Sequence, residues 1–202
     1  YDSINGQTSP MTFAPGADDN GSGTAATMEM ARVLADVPLR KTVIFMPFSA
    51  EEQGLVGSRY AAQQFAADGT DLEVMFNYDM IAYDPSNERL IALSGASFND
   101  HYRDLMVDAV ERLTDLVPVP ESSPGGSDHQ SFLEQGFPVM FAIEGTFNYQ
   151  GWHTNTDLTS MMNFPFFTKV VQAGIASLAA VANAAHPTEI EWLADQGNGS
   201  SI

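Results

Sequence analysis

The sequence predicts an α/β sandwich, a central and largely parallel β-sheet between layers of helix. Two observations carry that expectation. Short runs rich in β-branched and aromatic residues, such as KTVIFMPFSA (41–50) and LEVMFNYDMIAY (72–83), alternate with stretches of helical periodicity. Those runs also lack the strict apolar–polar alternation of a strand wetted on one face, as expected where helices cover both. A length of 202 residues with 44% apolar content suits one ordinary domain with a sizeable core.

In chain order, residues 24–36 (TAATMEMARVLAD) set Ala25, Met28, Val33 and Leu34 at roughly helical spacing, and Pro38 ends the run. Residues 41–48 read as a strand buried on both faces. A helix over 58–69 stops at Gly69, and strands are expected over 72–83 and 89–95. The clearest amphipathic helix is 99–116, with Leu105, Val110 and Leu113 on one side. A Pro/Ser/Gly-rich loop over 117–127 precedes a short helix, a strand over 137–145 and a long Ala-rich helix over 164–184. The organisation is one domain over 1–186 and a tail over 187–202, with no internal repeat.

Charge and composition narrow the chemistry. The formal net charge is −18, from 8 basic against 26 acidic residues. A protein that neutralises nucleic-acid phosphates needs the opposite sign, so nucleic acid is excluded as a partner class. There are no cysteines, which removes disulfides, thiolate metal sites and a cysteine nucleophile. Any metal must be held by His, Asp and Glu. No stretch approaches about 18 consecutive apolar residues, so no membrane-spanning segment is expected. The sequence opens abruptly on YDSI, which reads as a start within a longer chain.

The acids and histidines fall in telling places. Asp18 and Asp19 precede a helix within APGADDNGSG (14–23). Glu51 and Glu52 follow a strand, Asp79 closes the apolar run 72–78, and His153 lies in the loop after the last strand. Open α/β sheets bind ligands beyond the carboxyl ends of their strands, where three of these four features sit. Each has a plain reading: the Glu pair as a solvated acidic turn, Asp79 as a cap, His153 as a hydrogen-bonded loop residue. Together, and without cysteine, they make an oxygen-rich zinc site in which one carboxylate of the Glu pair binds a cation and the other handles protons.

The ordered motifs GADDNGSG, SAEEQGLVGS, NYDMI, SDHQSF and WHTNTD resemble the zinc aminopeptidases of peptidase family M28. The resemblance runs to about residue 160. It implies a three-layer phosphorylase/hydrolase-like fold and a co-catalytic pair of Zn2+ ions acting on peptides with a free N-terminus. By that resemblance Asp19 bridges two zinc ions, Glu51 is the general base, Glu52 and His153 are ligands to one metal, and Asp79 is a ligand to the other. Asp157 ends the last motif, as a loop-holding acid or otherwise. Ser127, Asp128 and His129 contribute to a substrate wall, with a helix-start hydrogen-bonding role equally open for His129. His101 and His186 are uninvolved.

One departure stands out. The family pattern begins with His-x-Asp, and here Asp2 matches the acid while the expected ligand His would fall just before Tyr1. Asp2 is then a second-shell partner to a residue outside this sequence, and the first strands of the sheet are expected to be absent as well. A second zinc is therefore expected to bind weakly, with little activity. The same scaffold supports mono-zinc glutaminyl cyclases, carboxypeptidases and non-catalytic relatives, which remain the alternatives. The resemblance and the acidity together imply a secreted or periplasmic location.

Overall fold

The computed structural model describes residues 2–7, 13–96, 100–121, 126–145 and 148–185. The expected tail over 187–202 and His186 lie outside these. The order is α1 (Gly21–Leu34), α2 (Val56–Ala67), β1 (Met75–Tyr78), β2 (Leu90–Gly95), α3 (His101–Leu113), β3 (Val117–Glu121), α4 (His129–Glu134), β4 (Val139–Glu144) and α5 (Phe164–Asn183). The four strands form one mixed sheet in the order β1-β4-β2-β3. β1 runs parallel to β4 and β2 to β3, while β2 and β4 are antiparallel.

Pleating sends alternate strand residues to opposite layers. Tyr78, Ile91, Leu93, Met140 and Ala142 pack with Met30 of α1, Met106 and Val110 of α3, and Phe166 and Val170 of α5. Val139 and Met75 turn the other way, joining Ala62 of α2 and Phe132 of α4 with Phe48, Phe65 and Phe137. The sandwich therefore has α1, α3 and α5 on one side and α2 and α4 on the other. Each side chain of this size buried in the core contributes about 1.5–3 kcal/mol. By length and composition α5 is apolar enough to cross a bilayer, yet half of it is buried inside the protein, against α1 and α3.

Four expectations need correction. Residues 42–48 carry no regular secondary structure and join no ladder among the described residues, and Ile44 and Met46 are 55% and 40% exposed. An apolar run specifies a strand only where a neighbour closes its hydrogen bonds. Here a cavity of about 940 Å³ separates the run from residues 72–79. Residues 117–121, read as loop, form β3 because Pro118 and Pro120 alternate with residues facing β2. The Val117 N–H donates to the Arg89 carbonyl at 2.7 Å, so the two prolines point their missing donors away from the sheet. On α1 the buried stripe is Ala26, Met30 and Leu34, while Met28 and Val33 are exposed. On α3, Leu105 and Val110 are buried but Leu113, at the helix end, is exposed.

Candidate metal centre

The loop before α1 is fixed from several directions. Gly16 has φ +60°, the left-handed turn that glycine allows, and its carbonyl accepts from the Gly21 N–H at 2.9 Å. Asn20 caps α1, its Oδ1 accepting from the Gly23 N–H at 2.9 Å, while its Nδ2 donates to the Tyr78 carbonyl. Asp157 accepts the N–H groups of Asp18 and Asp19 with its two oxygens, at 2.8 and 3.0 Å, and the Tyr149 hydroxyl donates to it at 2.5 Å. Asp157 is thus the acid that holds the loop, and Asp19 is delivered at a helix N-terminus where backbone dipoles favour an anion.

Asp19 meets Glu52 and His153. The His153 Nε2 lies 3.2 Å from Asp19 Oδ2 and 3.2 Å from Glu52 Oε2, and the three donor atoms converge within 4.8 Å of one another. Ligands about 2.0–2.1 Å from a tetrahedral zinc would stand roughly 3.3 Å apart, so the set fits such an ion. Burial lowers the His153 pKa, with Asp157 opposing, which keeps the imidazole a lone-pair donor. Glu52 Oε1 and Asp79 Oδ1 are buried without a hydrogen-bond partner. Unpaired buried carboxylate oxygens call for a proton or a cation.

The acids crowd one another. Desolvation first, then neighbouring carboxylates, lifts Asp19 and Glu51 to about 7 and Glu52 to about 8. For Asp19 the leading neighbour is Asp157, for Glu51 it is Asp128, and for Glu52 it is Asp19. Asp79, fully buried at the end of β1, is raised well above the carboxylate range by burial and then by Asp19. It stands outside the tight triad, and one oxygen accepts from the Ser127 hydroxyl at 2.5 Å.

Ser127 and His129 do not wall an open pocket. Both are buried, His129 completely, with its ring stacked on Phe141 at 4.2 Å and its Nδ1 3.2 Å from Asn77 Nδ2. Burial holds its pKa near 4, so it is neutral. His129 opens α4, in keeping with the helix-start alternative. Asp128 lines the cavity beside Glu51 and Glu52. Asp2 has a partner within the chain: its two oxygens accept the N–H groups of Glu51 and Glu52 at 3.1 and 3.3 Å, setting the turn that presents both side chains. His101 is exposed on α3, its ring tilted against that of the buried Tyr102, apart from the site.

Three of the six described non-glycine residues with positive φ fall at the same place, the others being Leu55, Asn87 and Arg89. Ala50, Met80 and His153 all have positive φ, at 59°, 52° and 53°. These flank Glu51, follow Asp79, or carry the imidazole itself. Such conformations cost about 1–3 kcal/mol each and collect where a structure over-determines a functional side chain. Tyr149 was not picked out in the sequence, and its isolated position offered no signal. Glu144 ends the apolar run 139–143 just as Asp79 ends 72–78, and that shared pattern was the readable one.

Fold and donor set together define an α/β domain with a carboxylate–imidazole group that could hold a metal ion. The model of peptidase family M28 matches residues 1–177, and the chain belongs to that family. It is 34% identical over 187 residues to leucine aminopeptidase 1 of Ajellomyces capsulatus strain H88, covering 81% of this chain and 46% of that one. A probable zinc metalloprotease of Pyrenophora tritici-repentis is 27% identical over 242 residues, covering 94% and 54%. A zinc aminopeptidase of Bacillus subtilis superposes with a TM-score of 0.75 at 27% identity, over 88% of this chain and 45% of that one. The chain spans about half the length of the relatives it matches.

Proposed function

We propose that this chain carries the catalytic site of a zinc aminopeptidase that releases the N-terminal residue of peptides. The convergence of Asp19, Glu52 and His153 beside Glu51 supports this reading most directly. Those three side chains hold one zinc. Asp79, with a buried unpaired oxygen and an electrostatic tie to Asp19, would be the donor for a second ion. Bound zinc supplies carbonyl polarisation and a more acidic water.

Glu51 does the proton work. Its carboxylate accepts a proton from water as the water oxygen adds to the peptide carbonyl carbon. It then gives that proton to the amine as the C–N bond breaks. Glu51 adjoins the donor set with its carboxyl partly desolvated, the placement a general base needs for both transfers. The surrounding acids of a chain with net charge −18 suit the ammonium of a free N-terminus.

Replacing Glu51 by Gln tests the assignment. The expected outcome is a loss of about 10²–10⁴-fold in peptidase rate with zinc content unchanged. Peptidase activity near the unsubstituted level would refute the general-base role. Zinc titration of the metal-free chain tests the ion count. Because only Asp19, Glu52 and His153 form a tight donor group among the described residues, one tight site and a weaker second are expected. Two equally tight sites would overturn that expectation.

A further inference from the structure

The loop that presents Asp19 is also where the fold buries a pair of acids, Asp18 and Glu144, that form no ion pair among the described residues. Asp18 is 0% exposed, and Glu144, the last residue of β4, is 3% exposed. Both are fixed to the segment that follows β1, where the Glu144 N–H donates to the Met80 carbonyl at 2.9 Å and the Ala82 N–H donates to Asp18 Oδ1 at 2.9 Å, and the two carboxyl groups interact electrostatically. Two carboxylates have only acceptors, however, and Asp18 Oδ2 and both Glu144 oxygens stand without a donor.

The two acids are not equivalent. Asp18 is furnished as an anion, with Oδ1 accepting from the Ala82 N–H at 2.9 Å. Glu144 has no such donor, and neither of its carboxyl oxygens has a hydrogen-bond partner. The groups around Glu144 are Asp18 from the loop before α1, Asp79 from the end of β1, and Tyr149 from the loop after β4. Tyr149 in turn donates to Asp157. All are acids or neutral. A second buried anion here costs more than a proton does.

We propose that Glu144 is a positioning residue, held as a neutral carboxylic acid that donates its hydrogen to Asp18 Oδ2 and locks the loop that aims Asp19. Burial first, then Asp18, pushes the Glu144 carboxyl far above the carboxylate range, in the same direction. The lock complements the one made by Asp157. Asp157 grips the loop by its backbone N–H groups, and Glu144 grips it by the Asp18 side chain. The link to Asp19 rests on the metal-centre reading above, whereas the buried proton does not.

Urea unfolding of the metal-free chain, from pH 5 to 9, tests the proton. Gln at 144 presents an N–H to Asp18 and has no proton to lose. With Glu144→Gln, the folding equilibrium constant relative to the unsubstituted chain is expected to grow about tenfold per pH unit, the slope of one proton taken up on folding. Acids that do not interact with Glu144 titrate alike in both proteins, so the ratio reads the proton held by the Asp18–Glu144 pair. A pH-independent ratio would overturn the proposal. So would stabilisation by added sodium or calcium that disappears in Glu144→Gln, because a cation would then bridge the pair.

Zinc titration tests the positioning. Glu144→Gln is expected to bind zinc like the unsubstituted chain. Glu144→Leu, which leaves Asp18 without its donor, is expected to bind it about tenfold or more weakly. Equal affinity in the Leu variant overturns the positioning role. Failure of the unsubstituted chain to bind zinc overturns the metal-centre reading, and with it the positioning, while the pH series still decides the proton. If the Leu variant does not fold, loss of zinc affinity in Glu144→Gln overturns the role and retention supports it.

Discussion

Asp157 shows how a single side chain can organise a site without entering it. Its two oxygens accept successive backbone N–H groups, so they set both the height and the tilt of the Asp18–Asp19 segment. Asn at this position keeps one acceptor but turns an NH2 toward the other N–H. Asp157→Asn is therefore expected to weaken zinc binding about 10–100-fold, as loss of an outer-shell partner commonly does, measured by calorimetric titration. Unchanged affinity would mean that the loop is held without it. Asp2 acts in the same way on Glu51 and Glu52. Its position in the sequence suggested an orienting acid, but the group it orients within this chain is a peptide backbone forty-nine residues away. Spacing along a sequence identifies an acid fit to orient something; only folding selects what lies opposite.

Among the elements, the contact of α1 with β1 governs the geometry. Gly23, in the first turn of α1, lies so close to the end of β1 that an added Cβ would overlap the Tyr78 carbonyl oxygen. The obstruction is backbone, which cannot rotate aside, and the same carbonyl accepts from the Asn20 side chain. Gly23→Ala is expected to destabilise the fold by about 1–3 kcal/mol and to displace Asp19 relative to Asp79. Urea unfolding together with zinc affinity measures both effects, and an Ala variant of normal stability would refute the close approach. This contact also explains which elements were readable. Helices 58–69 and 164–184 and strands 89–95 and 137–145 were legible because local pattern and tertiary role agree. Residues 41–48 carry a strand's pattern without a bonded neighbour, and β3 has a strand's neighbour despite two prolines.

For the molecule as a whole, the concentration of acids makes folding and protonation interdependent. Asp19, Glu51 and Glu52 have folded-state values of about 7, about 7 and about 8, above the ordinary carboxylate range of about 4. The folded, metal-free chain therefore binds more protons than the unfolded chain between about pH 4 and 8. Its stability is greatest at the acidic end of that window and falls as pH rises through it. Thermal unfolding in chelator should show a midpoint that drops from pH 5 to 8. Zinc, occupying the site in place of protons, should reverse the drop; at a hundred times its dissociation constant it contributes about 2.7 kcal/mol. A flat midpoint in chelator would show that the acids are relieved by something other than protonation.

By itself the sequence determined the layered α/β plan, the absence of cysteine, and the short motifs from which Asp19, Glu52 and His153 converge. Those properties are local, since periodicity, charge and residue type are written in consecutive positions. The tertiary structure alone decided that Asp157 holds the Asp19 loop, that Ser127 and His129 are buried rather than lining the cavity, and that Asp18 and Glu144 are buried with carboxyl oxygens unpaired. Each of these depends on a distance between segments far apart in the chain, and on the loss of water around them. A buried acid differs from a solvated one only in what surrounds it, and no stretch of sequence specifies that alone.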